Sequence, residues 1–303
     1  MSGRELVVLG TASQVPTRTR NHNGYLLRWD STGILFDPGE GTQRQLTHAG
    51  VPASAVDVIC ITHAHGDHCL GLPGVVQRRV LDGARTPVHL YYPAAASTMV
   101  DALLVASGPA AASVVRHPVE GGGLVHDAGT WRLSCAELDH RVPALGWRVD
   151  EPDGRRVLPE RAAALGVRGP AVGALLAAGS LEVEGRRVTV DEVTVPRPGQ
   201  SFALVMDTRP CPGAVEVARG ATVLVCESTF LEADAELAQA YAHCTAAQAA
   251  GIARDAGAEQ LLLTHFSQRY GDDVEGFAEE ARPVFGRVQA LRDLERMTFP
   301  RRR

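Results

Sequence analysis

His63, His65, Asp67 and His68 stand within six residues of one another in the run VICITHAHGDHCLGLPG. Alternate residues of a strand face the same side, so His63 and His65, leaving the end of the apolar stretch Asp57 to Thr62, converge on one point. Gly66 permits the sharp turn that brings Asp67 and His68 back toward it. Imidazole nitrogens and a carboxylate oxygen are the ligands of zinc and similar divalent ions. A lone histidine would carry no such meaning, but four of these groups at this spacing point to metal. Four groups complete one ion, so a second set is sought where an apolar strand ends in a metal-capable residue, because α/β sheets build sites at the carboxyl ends of their strands. FALVM-Asp207 and QLLLT-His265 repeat the arrangement of VICIT-His63, and SCAEL-Asp139-His140 is a weaker instance. The count suits two metals sharing a bridging carboxylate; spacing does not say which residue serves which ion.

These residues need strands to carry them. Apolar runs of strand length with turn signals between them predict strands over Glu5–Leu9, Tyr25–Trp29, Gly33–Phe36, Val56–Thr62, Val88–Tyr92, Trp131–Leu138, Phe202–Met206, Val223–Cys226 and Gln260–Thr264. Helical patterns fall at Thr42–Ala49, Val75–Asp82, Thr245–Ala256 and Val274–Phe285, with Thr42 and Thr245 as helix starts. The chain therefore reads as α/β. Pro93 to Val115 is the most apolar region and reads as a buried helix. From about Asp150 to Arg197 the strand rhythm fails, and the segment reads as an insertion projecting from the fold, without core patterning.

With 45% hydrophobic and 21% charged residues, the chain has the balance of a globular protein and excludes disorder as its main state. No linker divides it, so residues 1–303 read as one domain with 150–197 inserted. No stretch reaches the roughly 18 uninterrupted apolar residues of a membrane span. MSGRELVVLG is too short an apolar run for a secretory signal. Six scattered cysteines without CxxC pairs fit reduced thiols in a cytoplasm. The net charge of −5 argues against a general polyanion-binding surface; all 30 basic residues are arginine.

HAHGDH resembles the HxHxDH signature of the metallo-β-lactamase superfamily. The ordered set LGTASQVPTRTRN, FDPGEGTQRQ, THAHGDHCLGLPG, LDHRVPALGWRV, MDTRP, CESTF, HCTAAQA and THFSQRY is similar to the ribonuclease Z family, the tRNA 3′-processing endonucleases. The resemblance implies an αβ/βα four-layer sandwich with a protruding flexible arm. It implies two zinc ions per subunit, or manganese in their place, with His63, His65 and His140 on one, Asp67, His68 and His265 on the other, and Asp207 bridging. Asp37 or Glu40 would orient a ligand imidazole. Asp67 would act as general base on water, and His243, paired with Glu227, would protonate the leaving ribose oxygen.

The implied substrate is precursor tRNA, cut to leave a tRNA 3′-hydroxyl and a trailer 5′-phosphate. Arg18, Arg20 and Asn21 in PTRTRN match the family loop near the cleavage site. The 150–197 insertion, with Arg155, Arg156, Arg161 and Arg168, matches the arm that clasps the tRNA elbow, and Arg269 would hold a phosphate oxygen. A cytoplasmic homodimer is implied as well. Two other readings stand beside this one: a hydrolase of small phosphodiesters or sulfate esters on the same fold, and a non-catalytic RNA-binding scaffold.

Overall fold

The computed structural model describes residues 3–301. Its strands, in chain order, are β1 (Glu5–Gly10), β2 (Gly24–Trp29), β3 (Thr32–Phe36), β4 (Val58–Cys60), β5 (Val88–Pro93), β6 (Val114–Val119), β7 (Gly123–Asp127), β8 (Arg132–Leu138), β9 (Ala144–Asp150), β10 (Gly154–Val157), β11 (Ser180–Val183), β12 (Arg186–Thr189), β13 (Thr194–Arg197), β14 (Ser201–Val205), β15 (Val223–Glu227), β16 (Leu261–Thr264), β17 (Val288–Ala290) and β18 (Arg296–Thr298). Two seven-stranded sheets result, ordered β18-β1-β2-β3-β4-β5-β6 and β17-β16-β15-β14-β9-β8-β7.

Strand periodicity sorts the side chains into layers. In β1, Leu6 and Val8 point into the space between the sheets, where they join Phe36, Tyr91, Trp147, Phe202 and Leu262. Val7 and Leu9 point outward, under helices Thr42–His48 and Leu72–Leu81. The second sheet does the same beneath helices Pro212–Ala218, Ala246–Ala256 and Glu275–Ala281. Both faces of each sheet are thus covered, giving the αβ/βα layering. It also explains why the central strands read as continuous apolar runs.

The helices show matching patterns. Leu72–Leu81 buries Leu72, Val75, Val76 and Arg79, one face of a 3.6-residue repeat. Ala246–Ala256 starts on a capping box, Thr245 with Gln248, and stops at Gly257 in the left-handed region. Thr42, by contrast, is the first helical residue behind an N-cap of Gly41. The expected buried helix over Pro93–Val115 is shorter: only Ser97–Ala106 is α-helical, and β6 begins at Val114. Gly108 and Pro109 interrupt the run, and Val105 is 81% exposed.

Residues 151–200 form a compact unit of their own. β10 pairs with β13 and β11 with β12, the latter turning at Glu184 and Gly185, both with positive φ. Helices Pro159–Ala164 and Pro170–Ala178 complete it. Ala162, Val167, Leu175, Val188 and Val193 are its buried core. This corrects the expectation of a segment without core patterning. Its apolar positions are few and spread over short elements, so no single window shows a period. The unit holds seven acids and seven arginines and is formally neutral, which leaves the −5 to the rest of the chain.

Candidate metal centre

Strand ends of both sheets meet at the site. His63 and His65 follow β4; Asp67 and His68 lie in the helical turn Gly66–Cys69; His140 follows β8, Asp207 follows β14, and His265 follows β16. Asp207 (φ 42°) and His265 (φ 64°) sit in the left-handed region, as does Asp37 (φ 47°). Non-glycine residues rarely accept that conformation, and its concentration here marks strain held at a functional position.

The seven candidate ligands fall into two compact groups, His63, His65, His140 with Asp207, and Asp67, His68 with His265. Asp207 faces both. Its Oδ2 lies 3.4 Å from His63 Nε2 and 3.9 Å from His140 Nε2, while Oδ1 lies 3.4 Å from His68 Nε2 and 3.2 Å from His265 Nε2. Asp67 Oδ2 is 3.3 Å from His68 Nε2 and 3.6 Å from His265 Nε2. His65 turns Nδ1 to the first group, 3.0 Å from His63 Nε2 and 3.3 Å from His140 Nε2.

The opposite ring nitrogens are held by protein groups. Nδ1–H of His68 donates to Asp37 Oδ2 (2.8 Å), that of His63 to Thr62 Oγ1 (3.0 Å), that of His140 to the Ala242 carbonyl (2.9 Å), and that of His265 to Thr229 Oγ1 (2.7 Å). Thr62 in turn donates to Asp37, and Thr229 to Glu227, each at 2.7 Å. This network fixes the tautomers, so the Nε2 lone pairs of His63, His68, His140 and His265 aim inward. Asp207 Oδ1 and His265 Nε2 are buried without a hydrogen-bond partner. Lone pairs converging on carboxylate oxygens fit a bound cation.

Electrostatics agree. Burial and the neighbouring imidazoles lower the pKa of His63, and bring His65 and His140 down to about 4, so these rings are neutral and ready to bind metal. Burial opposes the charge of Asp67 and Asp207, but the surrounding histidines outweigh it and hold both carboxyls well below the usual range. Burial disfavours protonated His68, yet Asp207, Asp67 and Asp37 outweigh it and raise its pKa, the same negative field that would favour a bound cation.

Beside the two groups lies a buried pair: His243 Nδ1–H donates to Glu227 Oε1 over 2.9 Å, and Glu227 also accepts from the backbone N–H groups of Thr208 and Thr229. Burial alone would lower the pKa of His243, but Glu227 and Asp207 raise it to about 9. His243 also forms a compact set with Asp207 and His265 and so could itself be a ligand. Its retained proton suits an acid better than a ligand, which must be neutral.

These groups open into a cavity of about 280 Å³ lined also by Arg141, Phe230, Tyr241 and Arg269. Arg269 stacks on Phe230 at 5.6 Å and pairs with Asp234 at 3.1 Å. Of the residues expected to meet RNA, Arg18 is exposed. Arg20 is corrected: it is 5% exposed and donates to the Gly271 carbonyl, which makes it a strut between two loops. Asn21 ties its loop to the Glu40 carbonyl at 2.8 Å. Of the two acids, Asp37 meets the ring of a candidate ligand, His68, and Glu40 meets none among the described residues. In the 151–200 unit, Arg155 is engaged by Asp191 and Thr194, whereas Arg156, Arg161 and Arg168 are exposed and make no ion pair among the described residues.

Thr62, Thr208, Arg141 and Tyr241 were not singled out from sequence. Only the fold shows that the Thr62 hydroxyl meets the His63 ring and that the Thr208 backbone N–H meets Glu227.

A profile of the metallo-beta-lactamase superfamily matches residues 17–159. Ribonuclease Z of Nocardia farcinica is 55% identical over 305 residues, covering 100% of both chains. The chain belongs to the ribonuclease Z family. Ribonuclease Z of Salinispora arenicola is 51% identical, covering 100% of this chain and 98% of the relative. The crystal structure of human tRNase Z, short form, superposes with a TM-score of 0.69 at 23% identity, covering 98% of this chain and 100% of that one, and so shares the metallo-β-lactamase fold. With that family come a divalent-metal site and hydrolytic nuclease chemistry, which the His/Asp clusters suit.

Proposed function

We propose that this protein is an endoribonuclease that removes 3′ trailers from tRNA precursors, using two zinc ions, or manganese in their place. The carrying observation is Asp207, whose two oxygens face two separate sets of ring nitrogens beside the His243–Glu227 pair. His63, His65 and His140 would hold one ion, Asp67, His68 and His265 the other. When bound, such a pair of ions lowers the pKa of a water held at the site and offsets phosphoryl charge.

The chain's own groups do the rest. Asp67, which lines the cavity, would orient the attacking water and take its proton. His243, protonated on both nitrogens at neutral pH and anchored through Nδ1 by Glu227, gives its Nε2 proton to the ribose O3′ as the P–O3′ bond breaks. The tRNA leaves with a 3′-hydroxyl and the trailer with a 5′-phosphate. Arg18, Arg156, Arg161 and Arg168, all exposed, would contact the RNA backbone, and the protein would act as a cytoplasmic homodimer.

The test is incubation of the purified protein with a precursor tRNA while metal content is measured. One endonucleolytic cut and about two metal equivalents are expected. Asp67→Ala should abolish the cut; near-normal turnover with metal still bound would defeat the base assignment. Hydrolysis of a small diester without cleavage of the precursor would favour the small-substrate reading.

A further inference from the structure

The cavity above the candidate metal groups has an aromatic and cationic wall on the side of His140. Tyr241, the last residue of helix Ala235–Tyr241, is 47% exposed, and the guanidinium of Arg141 lies 5.6 Å from its ring centroid. Both line the same cavity as His65, Asp67, Asp207, His243 and His265. Exposure alone singles nothing out, since Leu81 and Val105 are more exposed than Tyr241 and do not line this cavity. What distinguishes Tyr241 is its place beside a cation at the mouth of a phosphodiester-cleaving site.

The other cation–π pair of this cavity, Arg269 on Phe230, is different in two respects. Phe230 is buried, and Asp234 answers the charge of Arg269. Arg141 makes no ion pair or hydrogen bond among the described residues, and half of the Tyr241 surface is open to solvent. A guanidinium held over an aromatic ring keeps its N–H edge free for bidentate contact with a phosphate. An open tyrosine face is a stacking surface for any base of a single strand.

We infer that Arg141 and Tyr241 form a nucleotide subsite next to the scissile phosphate, Tyr241 stacking on one flanking base and Arg141 holding the phosphate attached to it. The inference rests on the reading of the site as an RNA endonuclease. It assigns Arg141 and Tyr241 as positioning residues that act in binding and not in proton transfer. The subsite takes a single-stranded ribonucleotide without preference for its base, because stacking reads no hydrogen-bonding edge.

Steady-state cleavage of a precursor tRNA tests this. Tyr241→Ala should raise KM about tenfold with kcat changed by less than about twofold, and Tyr241→Phe should restore the wild-type value, since the ring and not the hydroxyl is used. Arg141→Ala should raise KM and flatten the slope of log KM against log salt by about 0.7, the share of one phosphate contact on a single strand. Two further substrates, abasic on either side of the scissile bond, locate the base: on one of them Tyr241→Ala should have no further effect on KM. If the wild type does not cleave the precursor, the functional reading falls and this inference with it. If the wild type cleaves, this inference alone is overturned by an unchanged KM in Tyr241→Ala, by failure of Tyr241→Phe to restore it, or by a loss that persists on both abasic substrates.

Discussion

Glu227 tunes the proposed acid: it accepts from His243 Nδ1–H at 2.9 Å and, with Asp207, carries the imidazole against the opposing effect of burial to a pKa of about 9. The active form of an acid is its protonated one, so kcat/KM for RNA cleavage should hold through neutrality and fall as pH rises through about 9. Glu227→Gln keeps a hydrogen-bond acceptor but removes the charge, so that alkaline limb should move to lower pH while metal content stays near wild type. A pH–rate profile with an unmoved limb would separate Glu227 from the acid. The types of both residues were legible in CESTF and HCTAAQA. Their contact was not, because 16 residues of chain separate them and only the packing of β15 beside the segment after Tyr241 closes the distance.

Two elements frame the centre through close backbone approach. A Cβ on Gly39 would stand 2.1 Å from the Asp67 carbonyl oxygen, and one on Gly71 would stand 2.0 Å from the Gly39 carbonyl oxygen. The FDPGEG loop after β3 therefore lies directly against the turn that carries Asp67 and His68. Gly39→Ala must push these backbones apart, costing about 1–3 kcal/mol of stability and lowering metal affinity; urea denaturation with a metal titration measures both. A second framing element is the loop that includes Arg20 and Asn21. It is held by Asp293, which accepts from Asn21 N–H and Thr11 Oγ1–H, each at 2.7 Å, and from the Gln45 amide at 3.1 Å. Burial raises the Asp293 pKa to about 6 despite these donors. A carboxyl with its folded pKa raised lends stability that is full below its unfolded value of about 4 and lost as pH rises through about 6. Asp293→Asn imitates the neutral form, its amide donating to Thr11. Between pH 5 and 7 the wild type should lose about 1.3 kcal/mol relative to this variant in denaturant titrations. Parallel curves for the two proteins would show that Asp293 does not titrate there. Sequence patterns located the strands and helices that flank both loops, but a crossing of two glycines or a buried carboxyl leaves no periodic signal.

At the scale of the whole molecule, β9 and β14 pair so that Asp150 stands opposite Ser201, and the 50 residues between them close on themselves as a separate unit with its own core. Joining Asp150 to Ser201 by a short Gly-Ser turn should leave the remaining sheets folded. We expect such a variant to lose precursor-tRNA binding at least tenfold more than it loses turnover of a small diester, as measured by filter binding and a chromogenic diester assay. Equal losses would count against a role for this unit in holding tRNA. The sequence by itself determined the α/β alternation, the strand ends that bear His63, Asp207 and His265, and the local HAHGDH turn, because periodicity and short-range backbone geometry are written in neighbouring residues. Only the tertiary structure decided that Asp207 faces two sets of nitrogens, that Arg20 is a buried strut, that Asp37 and Thr229 fix the ring orientation of candidate ligands, and that residues 151–200 have a core. Each of those depends on groups distant along the chain that become neighbours when two sheets pack face to face, and no window of sequence contains that contact.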